Sequence, residues 1–204
     1  MSFYRDSVLP HIVHLSMRQE TFEPYRRRVV ARASGRVLEI GVGSGLNLPM
    51  YGEKATLIVG LDPSAKLLSM ACAAAARPAL SMELVEGSAE AIPLPDQSVD
   101  TVVSTWTLCT IPDVARALAE MRRVLTPDGR LLFAEHGRST DRSVVRWQDR
   151  LTPLWKRIGG GCHLNRPIGT LIEDAGFRIE QIQTGYMKGP RPMTFMYEGV
   201  ARRS

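Results

Sequence analysis

The chain has 204 residues, 44% of them hydrophobic and 23% charged, the balance of a globular domain with a full core rather than a disordered or fibrous chain. Its net charge of +5 comes with arginines in short clusters (Arg26–Arg28, Arg122–Arg123, Arg202–Arg203), which read as solvated helix faces and a terminus and disfavour a nucleic-acid partner. Cys72, Cys109 and Cys162 are odd in number and share no metal-ligand spacing, so neither a disulfide framework nor a zinc site is indicated and no metal is expected.

Residues 1–34 form an extension ahead of the main domain, 35–204. No stretch reads as a signal peptide. The apolar run Val8 to Met17 is broken by Pro10, His11 and His14 and falls far short of the ~20 apolar residues a membrane span needs, so a cytoplasmic address is the default expectation. Glu23 and Pro24 open a helix over Tyr25 to Ala33 that closes near Gly35. This extension either lies over a crevice as a lid or packs on the sheet edge.

Val37, Leu38 and Ile40 then make a short buried strand, interrupted by Glu39, which breaks into Gly41, Gly43 and Gly45. Glycines packed so tightly after a strand let the backbone turn sharply and approach a ligand, because no Cβ intervenes. Thr56 to Leu61 is a second strand ending on Asp62, and an acid at that tip can accept hydrogen bonds from both ribose hydroxyls of a nucleoside. The NAD fingerprint fails, since its third glycine position is Leu46, and the P-loop's Gly-Lys-Ser/Thr is absent. Pro63 and Ser64 start a helix through Ala71 to Ala76, stopped by Arg77-Pro78. Met82 to Val85 is a third strand, leading to Gly87-Ser88-Ala89-Glu90.

Asp96 to Asp100 is a polar turn before a fourth strand, Thr101 to Ser104, which continues into Thr105-Trp106-Thr107-Leu108-Cys109. Asp113 caps a helix with Val114, Ala117, Leu118, Met121 and Leu125 on one face. Thr126-Pro127-Asp128-Gly129 turns into a fifth strand, Arg130 to Glu135, with His136 at its end. A longer segment, 141–167, carries Trp147, Trp155, glycines 159–161, Cys162 and His163. A helix over 168–175 and strands Phe177 to Thr184 and Thr194 to Ala201 close the chain. Strand–helix alternation followed by this pair predicts a Rossmann-like α/β/α sandwich with a seven-stranded, mostly parallel sheet, its last strand antiparallel.

The spacing Glu39-x-Gly41-x-Gly43-x-Gly45 followed by Asp62 resembles the class I S-adenosylmethionine (SAM)-dependent methyltransferases, as does the run Leu125-Thr-Pro-Asp-Gly-Arg-Leu-Leu132. The resemblance implies SAM as cofactor and S-adenosylhomocysteine as product. It implies that Glu39 and Gly41 to Gly45 line the methionine part, Asp62 and Pro63 hold the ribose, Ser88 and Ala89 hold the adenine, and Ser104 and Thr105 lie next to the sulfonium. An acid commonly stands where Ser88 is, so the backbone around Ala89 must supply more of the adenine contacts.

Thr-Leu-Cys-Thr (107–110), Phe-Ala-Glu-His (133–136) and Trp-Lys-Arg-Ile-Gly-Gly-Gly-Cys-His-Leu-Asn-Arg (155–166) are similar to the group that includes the alkyl thiol methyltransferases of animals. Those carry a hydrophobic membrane anchor, and the front of this chain departs from them there. Methyl transfer from a sulfonium needs alignment and desolvation of a nucleophile more than added chemical groups. His136, at a strand end, is placed to take the acceptor's proton or to shape the wall. Trp147, Trp155 and His163 are candidates for the acceptor wall, and Cys162 reads as a pocket thiol. The acceptor expected is a small molecule, an apolar thiol. The competing readings are C-, N- or O-methylation of a lipid or quinone precursor, and a SAM-binding module without catalysis. Oligomeric state is not legible.

Overall fold

The computed structural model describes residues 8–74 and 81–204. Its strands are β1 (Gly35–Ile40), β2 (Ala55–Asp62), β3 (Met82–Glu86), β4 (Val99–Thr105), β5 (Leu125–His136), β6 (Phe177–Tyr186) and β7 (Phe195–Arg203). They form one sheet in the order β3-β2-β1-β4-β5-β7-β6, with β1 to β5 parallel and β7 antiparallel to both its neighbours. The helices are α1 (Leu9–Met17), α2 (Glu23–Val30), α3 (Ala65–Ala74), α4 (Val114–Val124), α5 (Arg142–Ile158) and α6 (Ile168–Asp174). This is the expected seven-stranded α/β sandwich.

The two sheet faces follow the period-two alternation of the strands. Val37, Ile58, Val103 and Leu132 pack with Val29 and Val30 of α2 and Leu68 and Ala71 of α3. Their sequence neighbours Leu38, Val59, Val102 and Leu131 pack with Ala117, Leu118, Met121 and Val124 of α4 and Ile168 and Ile172 of α6. Helices on both faces explain why the central strands read as nearly unbroken apolar runs. Helix α4 starts where Asp113 accepts a hydrogen bond from the Arg116 amide at 3.0 Å, a cap worth about 1 kcal/mol.

Three boundaries differ from expectation. The turn Thr126 to Gly129 does not precede the fifth strand but bulges within β5, because Leu125 already pairs with Val99 before Arg130 pairs with Thr101. The helix expected over Tyr25 to Ala33 starts earlier, at Glu23, and ends at Val30. The stretch 141–167 yields the 17-residue α5, capped where Asp141 accepts from the Ser143 amide, and it tolerates Pro153 internally. The expected helix stop at Arg77-Pro78 lies outside the described residues. Among those residues no helix is long and apolar enough to cross a membrane.

Strand β1 pairs with β2 on one side and β4 on the other, so the connections leave it in opposite directions. That reversal opens a crevice beyond the carboxyl ends of the strands, where ligands bind in open α/β sheets.

Candidate active site

The loop leaving β1 turns on Gly41 at φ +65°, Gly43 at φ +57° and Gly45 at φ +79°, a left-handed backbone that side chains disfavour. A Cβ at Gly41 would meet Thr107 at 2.5 Å, whereas one at Gly43 would find only the Gly41 carbonyl at 3.8 Å. Gly43 therefore leaves its space open for something other than protein. The Gly43 amide donates to one oxygen of Asp62 at 3.0 Å, and the Ser64 amide donates to the other at 2.8 Å. Two backbone amides thus aim the carboxylate at the loop. Burial pushes its pKa up, against the pull of these two amides.

Glu39 lies beneath the loop, fully buried. One of its oxygens accepts from Asn47 Nδ2 and the other from the Tyr51 hydroxyl, both at 2.8 Å. Desolvation raises its pKa to about 7, despite those bonds and the nearby Arg26. Arg26 reaches from α2, donating to Asn47 Oδ1 at 3.4 Å and to the Met17 carbonyl at 3.2 Å. Asn47 also donates to Thr105 Oγ1 at 3.0 Å, tying the end of β4 to the glycine loop.

A cavity of about 990 Å³ runs from this loop across the carboxyl edge of the sheet. Glu39, Gly41, Gly43, Asp62, Pro63, Ser88, Ala89 and Thr105, which the resemblance places around the cofactor, all line it. Gly45 turns the loop from behind, its α-carbon face against Leu48 and Ala71. Ser104 departs from expectation: it is wholly buried below the floor, donating to Glu135 Oε1 at 2.7 Å. Side chains of a strand alternate in direction, so Ser104 and Thr105 cannot both face the crevice. Helix α1 walls the cavity with Leu9, Ile12, Val13, His14 and Met17. His14 Nδ1 lies 2.6 Å from Ser44 Oγ.

At the far end of the cavity stand Cys109, His136 and Cys162, all buried and all lining it. One ligand-capable atom from each lies within 4.8 Å of the others, and His136 Nε2 is 3.1 Å from Cys162 Sγ. A hydrogen bond from Cys109 and the imidazole of His136 hold the Cys162 thiol well below the ordinary thiol range. The same bond, with burial, pushes Cys109 up. Burial pulls His136 down, but the Cys162 sulfur and Glu135 outweigh it and hold the imidazole above its usual value.

Topology explains this cluster. Cys109 follows β4 and His136 ends β5, adjacent strands whose carboxyl ends share one edge. The loop after α5 is clasped to the loop after β4, because Arg166 donates to the carbonyls of Leu108 and Ile111 and the His163 amide donates to that of Cys109 at 2.8 Å. That clasp delivers Cys162. No local spacing announces the group, which is why the sequence reading of the cysteines missed it; the signal was that Cys109 and His136 each follow a carboxyl strand end.

The acceptor-wall candidates divide. Trp155 lines the cavity. Trp147 does not: it is 56% exposed on the outer side of α5, with the Arg150 guanidinium 5.9 Å from its ring centroid. His163 also lies off the cavity, its Nδ1 3.1 Å from the Cys109 carbonyl oxygen, serving the clasp rather than the wall. Sequence assigns no site role to Asn47, Arg26, Thr107 or His14, because no motif marks them and their partners lie far away along the chain.

A glycine loop at a topological switch point, with an aimed acid at the end of the next strand, defines a nucleoside-binding α/β site. A family described as a methyltransferase domain matches residues 38–133. The chain is 31% identical over 188 residues to a thiol S-methyltransferase of Homo sapiens, covering 90% of this chain and 75% of that protein. It is 35% identical over 150 residues to a thiol S-methyltransferase of Rattus norvegicus, covering 72% of this chain but only 62% of that one. Its fold matches a crystal structure of an S-adenosylmethionine-dependent methyltransferase from Mesorhizobium loti, with a TM-score of 0.64, 23% identity, and 90% and 98% of the two chains covered. The chain belongs to the class I SAM-dependent methyltransferases, and SAM is its cofactor.

Proposed function

We propose that this chain transfers the methyl group of SAM to a small, largely apolar thiol. The observation that carries this reading is the continuity of one cavity from the glycine loop to the Cys109–His136–Cys162 cluster, between apolar walls that include Ile12, Val13, Trp155 and Leu164. In this reading Glu39 and the loop from Gly41 to Ser44 hold the methionine part, Asp62 and Pro63 the ribose, Ser88 and Ala89 the adenine, and Thr105 the region of the sulfonium. The acceptor sulfur approaches from the cluster side. Its proton is lost to solvent before transfer, a free thiol being already partly ionised near its pKa of ~8.5. The thiolate forms a carbon–sulfur bond to the methyl carbon as the sulfonium's own bond to that carbon breaks, and S-adenosylhomocysteine and a methyl thioether leave. The sulfonium's positive charge favours the thiolate over the thiol in the same low-dielectric space.

An acceptor panel with labelled SAM tests this. Short alkyl and aryl thiols should become labelled thioethers, while amines, quinols and phospholipids of similar size should not. Label appearing in a quinol or an amine and in no thiol would overturn the thiol acceptor and leave the family assignment standing.

A further inference from the structure

We propose that Cys109, His136 and Cys162 form a zinc site, with two sulfurs and one imidazole nitrogen as ligands and the fourth coordination position open to the cavity. The donor set is two thiols and an imidazole, the combination zinc takes with bonds of about 2.3 Å to sulfur and about 2.0–2.1 Å to nitrogen. Ligand atoms around a tetrahedral zinc therefore stand roughly 3.5–3.8 Å apart. The three atoms here already lie within 4.8 Å of one another, so side-chain adjustments of under about an ångström seat the ion. His136 presents Nε2 to the cluster, 3.1 Å from Cys162 Sγ, and that separation must open slightly to admit the metal.

The site is built rather than incidental. Its members come from three separate loops and strand ends, and the Arg166 bonds to the Leu108 and Ile111 carbonyls hold two of those segments together. All three side chains are buried yet face the cavity, so the ion would be shielded from bulk water and reachable by a ligand from one side. Three protein ligands with an open fourth position is the arrangement of catalytic rather than structural zinc. The site's existence is independent of the acceptor's identity; its role rests on the thiol reading above. In that role the acceptor thiol binds the open position and loses its proton to solvent. The bound sulfur then attacks the methyl carbon, the sulfonium's bond to that carbon breaks, and the neutral thioether, a poorer ligand than the thiolate, departs.

The experiment uses the intact chain, reduced and freed of metal by chelation, titrated with zinc and, as a spectroscopic probe, with cobalt(II). One zinc per chain is expected. The cobalt form should show thiolate-to-metal charge transfer and the visible bands of four-coordinate cobalt. Both signals should be lost in Cys109→Ser and in Cys162→Ser and retained in Cys72→Ser, whose thiol is exposed and remote. Should the cluster variants fail to fold, alkylation of the unaltered chain decides the same point: zinc should protect Cys109 and Cys162 but not Cys72. Absence of stoichiometric zinc, or protection that ignores Cys109 and Cys162, overturns the site. Adding an alkyl thiol should intensify the cobalt charge-transfer band. Zinc bound at the three residues with no methylation of any thiol upholds the site and sinks the acceptor reading. Thiol methylation at full rate by a chain that binds no zinc overturns the site and leaves the acceptor reading intact.

Discussion

The imidazole Nδ1 of His14 sits 2.6 Å from the hydroxyl of Ser44, joining the N-terminal helix to the glycine loop. The join lies at the cavity wall, since residues of α1 and of the loop both line it. Deleting residues 1–17 should therefore expose the cofactor site while leaving Phe22 and Tyr25 packed edge-on against Trp106. The expected result is a melting temperature within a few degrees of the full chain and a fall in kcat/KM of about tenfold or more, ~1.4 kcal/mol of transition-state stabilisation. Undiminished kcat/KM in the truncated protein would reduce α1 to packing.

Asp62 is held by the amides of Gly43 and Ser64, with each oxygen retaining a free lone pair for a ribose hydroxyl. Asp62→Ala should weaken S-adenosylhomocysteine binding by roughly 1.5–3 kcal/mol, the scale of a hydrogen bond to a charged group. Titration calorimetry on a variant shown to be folded measures it. Equal affinity would remove the acid from the ribose.

Gly43 and Gly45 make a paired contrast. A methyl at Gly43 points into open space, whereas one at Gly45 runs to 2.8 Å from Leu48 and 3.1 Å from the backbone of Ala71. Gly43→Ala should cost stability only the ~1–2 kcal/mol of a left-handed non-glycine residue, yet lose most cofactor affinity. Gly45→Ala should lower the melting temperature further. Comparable cofactor affinity in Gly43→Ala and the unaltered chain would contradict the placement of the ligand there.

Glu39 sets a pH dependence. Its folded pKa of about 7 lies above its unfolded value of 4.5, because burial penalises the carboxylate. The folded chain then holds a proton that the unfolded chain has released. Stability from this group is complete below pH 4.5, declines between 4.5 and 7, and is flat above 7, an overall loss on the order of 3 kcal/mol. Glu39→Gln keeps an acceptor for Tyr51 or Asn47 and carries no charge, so it should be more stable than the unaltered chain at pH 8 and nearly equal at pH 4.5. Denaturant midpoints across that range check it. A stability difference that does not grow with pH would mean that Glu39 is not the group titrating.

The parallel core was legible because its signals are local. Val37 to Ile40 followed by three glycines, and Thr56 to Leu61 followed by Asp62, state strand, turn and acid within a few residues each. The fate of Thr126 to Gly129 was not, since a proline-glycine turn looks the same whether it precedes a strand or bulges from one; the pairing of Leu125 with Val99 decides it. Trp147 and Trp155 differ by eight residues on one helix, and only the seating of α5 sends one outward and the other into the cavity. Cys109, His136 and Cys162 meet through strand order and the Arg166 clasp, long-range facts that spacing along the chain does not encode.

One cavity under one helix also couples traffic to chemistry. The cofactor loop and the cysteine–histidine end share the wall that α1 provides, so if α1 acts as a lid both products would leave by displacing the same short helix. Egress gated by a moving element sets the turnover rate of many enzymes. In this chain kcat should consequently fall as solvent viscosity rises, while the rate of the first turnover, measured before either product departs, stays constant.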